Sequence, residues 1–234
     1  GLAAVRCVYM GEGSSLIGFT ITNGFTEAEG DGGGIYCTSN SCVISNCFIV
    51  KNTSDRYGGG AFKGTYYNSR FADNRTGASD FSMNCFGGGA YHAVLNNCIL
   101  VGNYAKLGGG GGVSDSLLVN CTLDNNGCYL GGGAIRSTLY SCVLTNNFAD
   151  YGGGVADDSI LYNCTLVGNS ASTAGGGAYS DLHGELTSTL INCTLDGNKT
   201  LDSGGGAYHS TLNNCLITRN IGFSGGGAYE SILN

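Results

Sequence analysis

Cysteine, histidine and carboxylate side chains are the residues of this 234-residue chain whose types and spacing could do chemistry. The chain has 12 cysteines and only three histidines, so the cysteines have to be explained first. A thiol can act as a nucleophile, close a disulfide or bind a metal ion. A catalytic nucleophile occurs once, whereas seven of these cysteines recur in closely similar segments, several of which read Asn-Cys-Thr-Leu. This recurrence predicts a structural position in a repeat.

The seven recurring cysteines are expected to form a buried column of free thiols. Stacked strands lie about 4.8 Å apart, but side chains in register point the same way, which opposes disulfides between neighbours. A straight column also does not converge on a tetrahedral metal ion. Ser69 takes one place in the series, which fits a packing role because a missing cysteine would strand a disulfide partner. The members are Cys47, Cys98, Cys121, Cys142, Cys164, Cys193 and Cys215.

Two further groups of residues are candidates for chemistry. Cys37 and Cys42 bracket Thr-Ser-Asn-Ser and could close a local disulfide. Asp181, His183 and Glu185 are spaced two apart, so an extended loop would place three metal-binding side chains on one side. Short polar loops often carry this pattern without binding a metal. No nucleophile or acid–base set is recognisable elsewhere, so the sequence predicts no catalytic residue and no cofactor.

A repeat that begins with Gly-Gly-Gly positions these residues. The triplet starts nine times, at intervals of 21 to 29 residues. A cysteine position follows most triplets, and an asparagine lies five residues after that position, as in Cys142 and Asn147. Variable lengths between fixed landmarks predict loops that project from a constant frame.

The frame is predicted to be all-β. Three consecutive glycines oppose a helix by about 1 kcal/mol each, and the residues around them read as short strands separated by turns. Leu190 and Leu195 are both expected to point inward although they are five residues apart. Strand side chains alternate with a period of two, so a corner must lie between them. The sequence therefore predicts a single-stranded, right-handed parallel β-helix of nine to ten coils, with three strands and three turns per coil.

Asparagines that precede the cysteines are expected to occupy these corners, because Asn tolerates the left-handed backbone. Their amides are expected to hydrogen-bond from coil to coil in a ladder. This corner set is Asn46, Asn97, Asn120, Asn163, Asn192 and Asn214.

A row of aromatic residues follows the glycine triplets, two positions after the last glycine, as in Tyr36, Phe62 and Tyr91. An outward row would offer rings for sugar stacking, and an inward row would be part of the core. The next residue is polar or charged in nearly every repeat and must face water. Strand alternation therefore favours an inward aromatic row.

The composition limits the classes of partner. Forty-three glycines without a single proline indicate a regular structure that needs glycine at fixed places. The formal charge of −7, with only ten Lys and Arg residues, argues against nucleic acid and anionic membranes as partners. No apolar run approaches the roughly 18 residues that a membrane helix needs, so no membrane insertion is expected.

Two short motifs resemble a known family. "GGAI" at 132–135 and "FADN" at 71–74 match the GGA(I/L/V) and FxxN motifs of polymorphic outer-membrane protein repeats, which form passenger regions of bacterial autotransporters. The third glycine, the tyrosines after the alanine and the leucines in place of most phenylalanines depart from that pattern. The resemblance implies a β-helix displayed at the bacterial surface and a role in adhesion.

One β-helix domain over residues 1–234 is expected, as a fragment or module of a longer protein, with insert loops near 75–86 and 181–187. The favoured function is a non-enzymatic adhesin or stalk, extracellular or on the bacterial cell surface. It would recognise surface glycans or matrix proteins. The alternative is a subunit of an extracellular fibre, in which the partner is the chain itself, stacked end to end. A polysaccharide-cleaving enzyme is the third and least favoured hypothesis.

Overall fold

The structure is a computed structural model that describes residues 5–27, 30–77, 85–180 and 187–234. Every regular element in these ranges is a strand, and all strands pair in parallel to form four sheets. The predicted fold is confirmed, because successive coils add one strand to each sheet and wind as a right-handed parallel β-helix. The described ranges contain no helix long and apolar enough to cross a membrane.

Sheets A and B each contain ten strands, sheet C contains nine and sheet D seven. The strands of sheet A are β1 (Val8–Met10), β4 (Ile35–Cys37), β8 (Ala61–Phe62), β12 (Ala90–Tyr91), β16 (Val113–Ser114), β20 (Ala134–Ile135), β24 (Val155–Ala156), β28 (Ala178–Tyr179), β32 (Ala207–Tyr208) and β35 (Ala228–Tyr229). The strands of sheet B are β2 (Ser15–Ile17), β5 (Val43–Ser45), β9 (Thr65–Tyr67), β13 (Val94–Asn96), β17 (Leu117–Val119), β21 (Thr138–Tyr140), β25 (Ile160–Tyr162), β29 (Thr189–Ile191), β33 (Thr211–Asn213) and β36 (Ile232–Leu233).

The strands of sheet C are β3 (Thr20–Thr22), β6 (Phe48–Val50), β10 (Arg70–Ala72), β14 (Ile99–Val101), β18 (Thr122–Asp124), β22 (Val143–Thr145), β26 (Thr165–Val167), β30 (Thr194–Asp196) and β34 (Leu216–Thr218). The strands of sheet D are β7 (Thr53–Ser54), β11 (Arg75–Thr76), β15 (Tyr104–Gly109), β19 (Gly127–Leu130), β23 (Phe148–Tyr151), β27 (Ser170–Ala174) and β31 (Lys199–Thr200). The fourth sheet corrects the prediction of three strands per coil.

The corners between these sheets share one backbone solution. In the coil that begins at Ala134, the residues at positive φ are Arg136, Ser141, Asn146 and Gly152, with φ between 46° and 64°. The first three are five residues apart, which explains the odd spacing of inward residues. Asn or Gly occupies most such positions along the chain because both tolerate a left-handed backbone.

The core lies inside the three sheets A, B and C. It is filled by the central residues of the B and C strands and the first residue of each A strand, such as Leu139, Leu144 and Val155, all at 0% exposure. Each fully buried aliphatic side chain contributes about 1.5–3 kcal/mol. Leu190 and Leu195 are buried in the same core on either side of the corner residue Asn192.

The glycine triplets mark the place where each coil closes on itself. The first glycine of a triplet has positive φ, as at Gly131 (69°). A Cβ on the second, Gly132, would collide with carbonyl oxygens of Phe148 and Gly153. The sheet D strand that begins at Phe148 starts beside Gly132, and the triplet that begins at Gly152 connects its end to sheet A. Sheet D therefore lies beside the main core and has its own small cluster of buried residues.

Candidate functional site

The cysteine column is a set of hydrogen-bonded corner residues. Six of its seven members are about 1% exposed, and Cys215 is partly buried. The backbone N–H of Cys121 donates to Sγ of Cys142 one coil on at 3.4 Å, and that thiol donates to the Tyr140 carbonyl at 3.3 Å. All twelve cysteines of the chain are free thiols. Each thiol therefore accepts from the coil before it and donates within its own corner.

Serine performs the same task one corner earlier in the coil. The N–H of Ser116 donates to Oγ of Ser137 at 3.1 Å, and that hydroxyl donates to the Ile135 carbonyl at 2.8 Å. Ser69 repeats the pattern inside the thiol column, where it accepts the N–H of Cys47 at 3.2 Å. The column therefore requires a small side chain that can both donate and accept, and no thiol chemistry is needed.

The asparagine ladder lies on a different set of residues from the one predicted. The corner asparagines do turn the corners, with φ near 50°, but their side chains are exposed. Among the described corner asparagines, only Asn214 and Asn192 join their amides, at 2.7 Å. At a left-handed corner the side chain points away from the coil stack, so solvent replaces the neighbouring amide.

The ladder is built by the asparagines five residues after the cysteine position. The amide of Asn126 donates to Oδ1 of Asn147 at 3.0 Å, and the backbone N–H of Asn126 donates to the same oxygen at 3.0 Å. The side-chain amide of Asn147 donates in turn to Oδ1 of Asn169 at 3.0 Å and to the Leu123 carbonyl of the previous coil at 2.9 Å. This buried ladder comprises Asn52, Asn74, Asn103, Asn126, Asn147, Asn169, Asn198 and Asn220, of which the last is partly exposed.

Cys37 and Cys42 are both fully buried free thiols, so the disulfide that the sequence left open is not formed. Burial, reinforced by the neighbouring Cys42, raises the pKa of Cys37 to about 12. The Cys42 thiol lies 3.0 Å from the Gly11 carbonyl. Neither thiol therefore resembles an activated cysteine, because both are shielded from solvent and the pKa of Cys37 is raised.

The metal-site candidates Asp181, His183 and Glu185 lie outside the described residues, and that site stays a prediction. The insert loops near 75–86 and 181–187 also fall largely outside them. Within the described part of the chain, no three His, Cys, Asp or Glu side chains come together in a way that could hold a metal ion.

The aromatic row faces away from the main core, which corrects the inward prediction. Ala178 belongs to the main core, whereas Tyr179 beside it belongs to a separate cluster between sheets A and D. Strand alternation does not extend to the charged residue that follows, because that residue is not part of the strand. His209 and Arg136 at that position have φ of 50° and 46°, so alternation ends one residue earlier.

The outward aromatic rings stack on one another. The Tyr9 and Tyr36 rings are 5.4 Å apart and 6° from parallel, and Tyr208 and Tyr229 are 5.5 Å apart and 9° from parallel. Cations lie over some remaining faces, such as Arg6 over Tyr36 at 4.7 Å. Within the stack, neighbouring rings cover one another's faces, whereas Tyr9 at the end of the stack is 66% exposed. This row therefore stabilises the coil stack and offers few faces to a ligand.

The charged corner after sheet A forms ion pairs between coils. Nε and Nη2 of Arg136 donate to the two carboxylate oxygens of Asp115, each at 2.9 Å. Burial alone would raise the pKa of Asp115, but hydrogen bonds from Arg136 and Ser114 lower it below its usual value. The bidentate geometry links adjacent coils at the surface.

The outer face of sheet D carries a concave site, here called the sheet D trough, with a volume of about 590 Å³. Its floor is the backbone at the second residue of each strand, where buried side chains such as Cys128 and Ala149 point inward. Its two walls are the side chains on either side of that residue. One wall contains Tyr104, Phe148, Ser170 and Lys199, and the other contains Lys106, Tyr129, Asp150, Ser172 and Leu201.

The aromatic rings of the trough are open, in contrast to the stacked row of sheet A. Phe148 and Tyr129 are 43% and 48% exposed. The ring of Phe148 lies on Gly127, where any Cβ would collide with it, so one face is supported and the other is free. Tyr129 meets Tyr151 edge to face at 5.7 Å. The trough therefore presents ring faces that a ligand could contact.

The trough carries a small net positive charge. Lys199 and Lys106 line it together with Asp150, and Arg75 lies 5.9 Å from the ring centre of Tyr104. Burial raises the pKa of the Cys128 thiol in the floor to about 12, so it is neutral at physiological pH. The site is thus slightly positive in a protein with a net charge of −7.

A second groove, of about 750 Å³, lies between the aromatic row and sheet D. Tyr179, Tyr208 and Tyr229 line it, and their mutual stacking occupies their faces. Asp157 and Asp202 add acidic groups. We regard the sheet D trough as the better candidate site because the Phe148 and Tyr129 side chains in it are exposed.

Sequence reasoning missed this trough because it missed sheet D. The signal was the four or five residues that separate most ladder asparagines from the next glycine segment, as in "FADY" after Asn147. A tight connection needs only two residues between strands, so four or five residues leave room for an added short strand.

No protein family matches the sequence, and no curated protein matches it. Among solved structures, the chain is similar to the Dettilon tailspike protein gp208, with 12% identity over 97% of this chain and 62% of that chain, at a TM-score of 0.30. It is also similar to HetL, a pentapeptide repeat protein from Nostoc sp. strain PCC 7120, with 14% identity over 95% of this chain and 87% of that chain, at a TM-score of 0.25. The chain thus spans about 62% of the tailspike's length. At these values neither similarity identifies a family or an activity, and the autotransporter resemblance stays a prediction.

Proposed function

We propose that this chain is a non-enzymatic, secreted or cell-surface β-helix that acts as an adhesin or stalk. In this role a rigid coil stack holds recognition surfaces away from the cell. The secreted or cell-surface location is part of this proposal, as is the role of adhesin or stalk.

The observation that supports this function is the continuity of the side-chain columns. Hydrogen bonds connect the buried asparagines from Asn52 to Asn220, and thiol and serine columns run beside them. Ten stacked strands at about 4.8 Å spacing give a stack of about 43 Å. Because each coil is tied to the next by side chains as well as by the sheets, bending the stack would break several buried hydrogen bonds together.

Negative-stain electron microscopy over a range of protein concentrations tests this proposal. Discrete short rods at every concentration, which bind surface glycans or matrix proteins in a screen, would support a stalk or adhesin. Rods that bind none of these partners would count against recognition, and flexible or collapsed particles would count against a rigid stalk.

A fibre subunit is the second candidate. The ladder is self-complementary, because each asparagine donates to a residue of its own type one coil on, as Asn169 does to Asn198. A second copy could continue the same pattern. Long uniform fibres that grow with concentration in the same micrographs would replace the stalk proposal with this one.

The absence of enzyme activity is also part of the proposal. Incubation of the chain with acidic polysaccharides, followed by assays for unsaturated and for reducing ends, tests it. Product formation above a buffer control would replace the non-enzymatic function with polysaccharide cleavage.

A further inference from the structure

We propose that the sheet D trough binds a linear, uncharged polysaccharide along the axis of the coil stack. This inference rests on the proposed function, since it names the ligand class that such a surface protein would recognise. It assigns the recognition to the described strands of sheet D and to no inserted loop.

The shape of the trough fits a chain-like ligand. Its wall residues are in register from coil to coil, in the order Tyr104, Gly127, Phe148, Ser170 and Lys199. Four steps of about 4.8 Å give a length of about 19 Å, and two residues along a strand separate the walls by about 7 Å. A site this long, narrow and open at both ends accepts an extended polymer better than a compact molecule. Its volume of about 590 Å³ is within the range of ligand sites.

The open aromatic faces favour a sugar. A pyranose ring presents polarised C–H groups on its faces, and these pack on the negative face of an aromatic ring. Phe148 is held flat on Gly127, and Tyr129 stands on the opposite wall one coil before it. Their positions let the two rings contact successive units of a chain that follows the trough.

The polar groups of the trough match hydroxyl groups. Ser170 and Ser172 stand on the two walls of one strand, and their hydroxyls can both donate and accept. Farther along, Lys199 offers donors only. Ring faces followed by hydroxyl groups along one groove can contact both the apolar faces and the hydroxyl groups of an uncharged sugar chain.

Charge favours an uncharged polymer over a polyanion. The trough carries only a small positive charge, whereas the whole chain has a net charge of −7. A polyanionic glycan would be repelled over the full length of the stack, and the few lysines would offset only a small part of that repulsion. A neutral polymer meets no such penalty.

Affinity gel electrophoresis of the full chain tests the proposal. Separate gels contain hydroxyethyl cellulose, galactomannan or alginate, so that two neutral glycans are compared with a polyanion. The variants are Phe148→Ala and Tyr129→Ala, with Tyr140→Ala as the matched control. Tyr140 is 40% exposed, a fraction similar to the 48% of Tyr129, but it lies on sheet B and outside the trough. Circular dichroism verifies that each variant is folded.

The expected result is retardation by a neutral glycan that both trough variants weaken by about tenfold or more and the control leaves unchanged. If Phe148→Ala fails to fold, the Tyr129→Ala variant alone decides the outcome. Tyr129 does not pack against a glycine of the neighbouring coil as Phe148 packs against Gly127, so its removal is expected to leave the fold intact. Equal retardation of trough variants and wild type, retardation by alginate alone, or no retardation in any gel would each overturn the proposal. Rods in micrographs without glycan binding would reject this inference while leaving the stalk role in place, and collapsed particles would reject the stalk role itself.

Discussion

Replacement of Asn147 by alanine is expected to destabilise the coil stack far more than its single side chain suggests. Asn147 is fully buried, and its Oδ1 accepts the backbone N–H and the amide of Asn126, each at 3.0 Å. Its own amide donates to the Leu123 carbonyl at 2.9 Å and to Asn169 at 3.0 Å. Alanine removes all four hydrogen bonds.

The magnitude follows from the groups that are left unpaired. Two donors of Asn126 lose their acceptor in a site that water does not reach, and each buried unpaired group costs about 1–3 kcal/mol. Asn169 still accepts the backbone N–H of residue 147. The expected loss in the free energy of unfolding is therefore about 2–6 kcal/mol.

Urea denaturation followed by circular dichroism measures this loss, with equal slopes verifying that the same surface is exposed. Native-state hydrogen exchange at the backbone N–H of Asn126 shows where stability is lost, because that N–H loses its acceptor directly. The matched control is Asn163→Gly. Asn163 is an exposed corner asparagine with φ of 54°, and glycine keeps that backbone. A change within about 0.5 kcal/mol is expected there.

The reasoning is refuted if Asn147→Ala costs less than about 1 kcal/mol, or no more than the Asn163 control. Either result would mean that the buried ladder is a consequence of the fold and contributes little to its free energy of unfolding. Unchanged exchange at the Asn126 amide would lead to the same conclusion.

Three further predictions concern the corners and the coil closure. Cys142→Ser should cost less than about 1 kcal/mol in urea denaturation because serine makes the same contacts one corner earlier, whereas Cys142→Ala should cost about 1–3 kcal/mol by leaving an N–H unpaired. Gly153→Ala should cost more than about 3 kcal/mol, or prevent soluble expression, because the new Cβ would overlap the Ser170 carbonyl. The pKa of Asp115 is lowered in the folded protein, so its pairing with Arg136 stabilises the fold fully at pH values above the unfolded pKa of about 3.9. This stabilisation is lost as the pH falls through the lower pKa of the folded state. Denaturation between pH 5 and pH 2 should therefore show a decline that Arg136→Ala makes shallower, and identical profiles would contradict it.

Several features of the fold could be predicted from the sequence because they depend on one coil alone. A left-handed corner restricts the residue that occupies it, so the asparagine before Cys164 or Cys193 signals a turn wherever the coil lies. Leu190 and Leu195 signal the interior for the same local reason. Since every coil repeats these constraints, the fold class followed from periodicity.

The candidate site could not be predicted in this way. Alternation predicted an inward Tyr179, but the strand ends at this residue and the next corner begins, which only the backbone of the coil reveals. The sequence prediction assigned no strand to the short segment after Asn147, and this segment becomes a strand of sheet D because the segments one coil before and one coil after it, Gly127–Leu130 and Ser170–Ala174, pair with it.

The sequence by itself thus determined the coil, its corners and the inward residues, because steric limits on φ and the burial of apolar side chains act within one repeat. Only the tertiary structure decided which asparagines bond to each other and which aromatic rings are free. Both depend on what stands about 4.8 Å away in the next coil, and not on the neighbours in the chain. Phe148 shows this dependence most directly: its exposed face exists because the residue beneath it, 21 positions earlier, is Gly127.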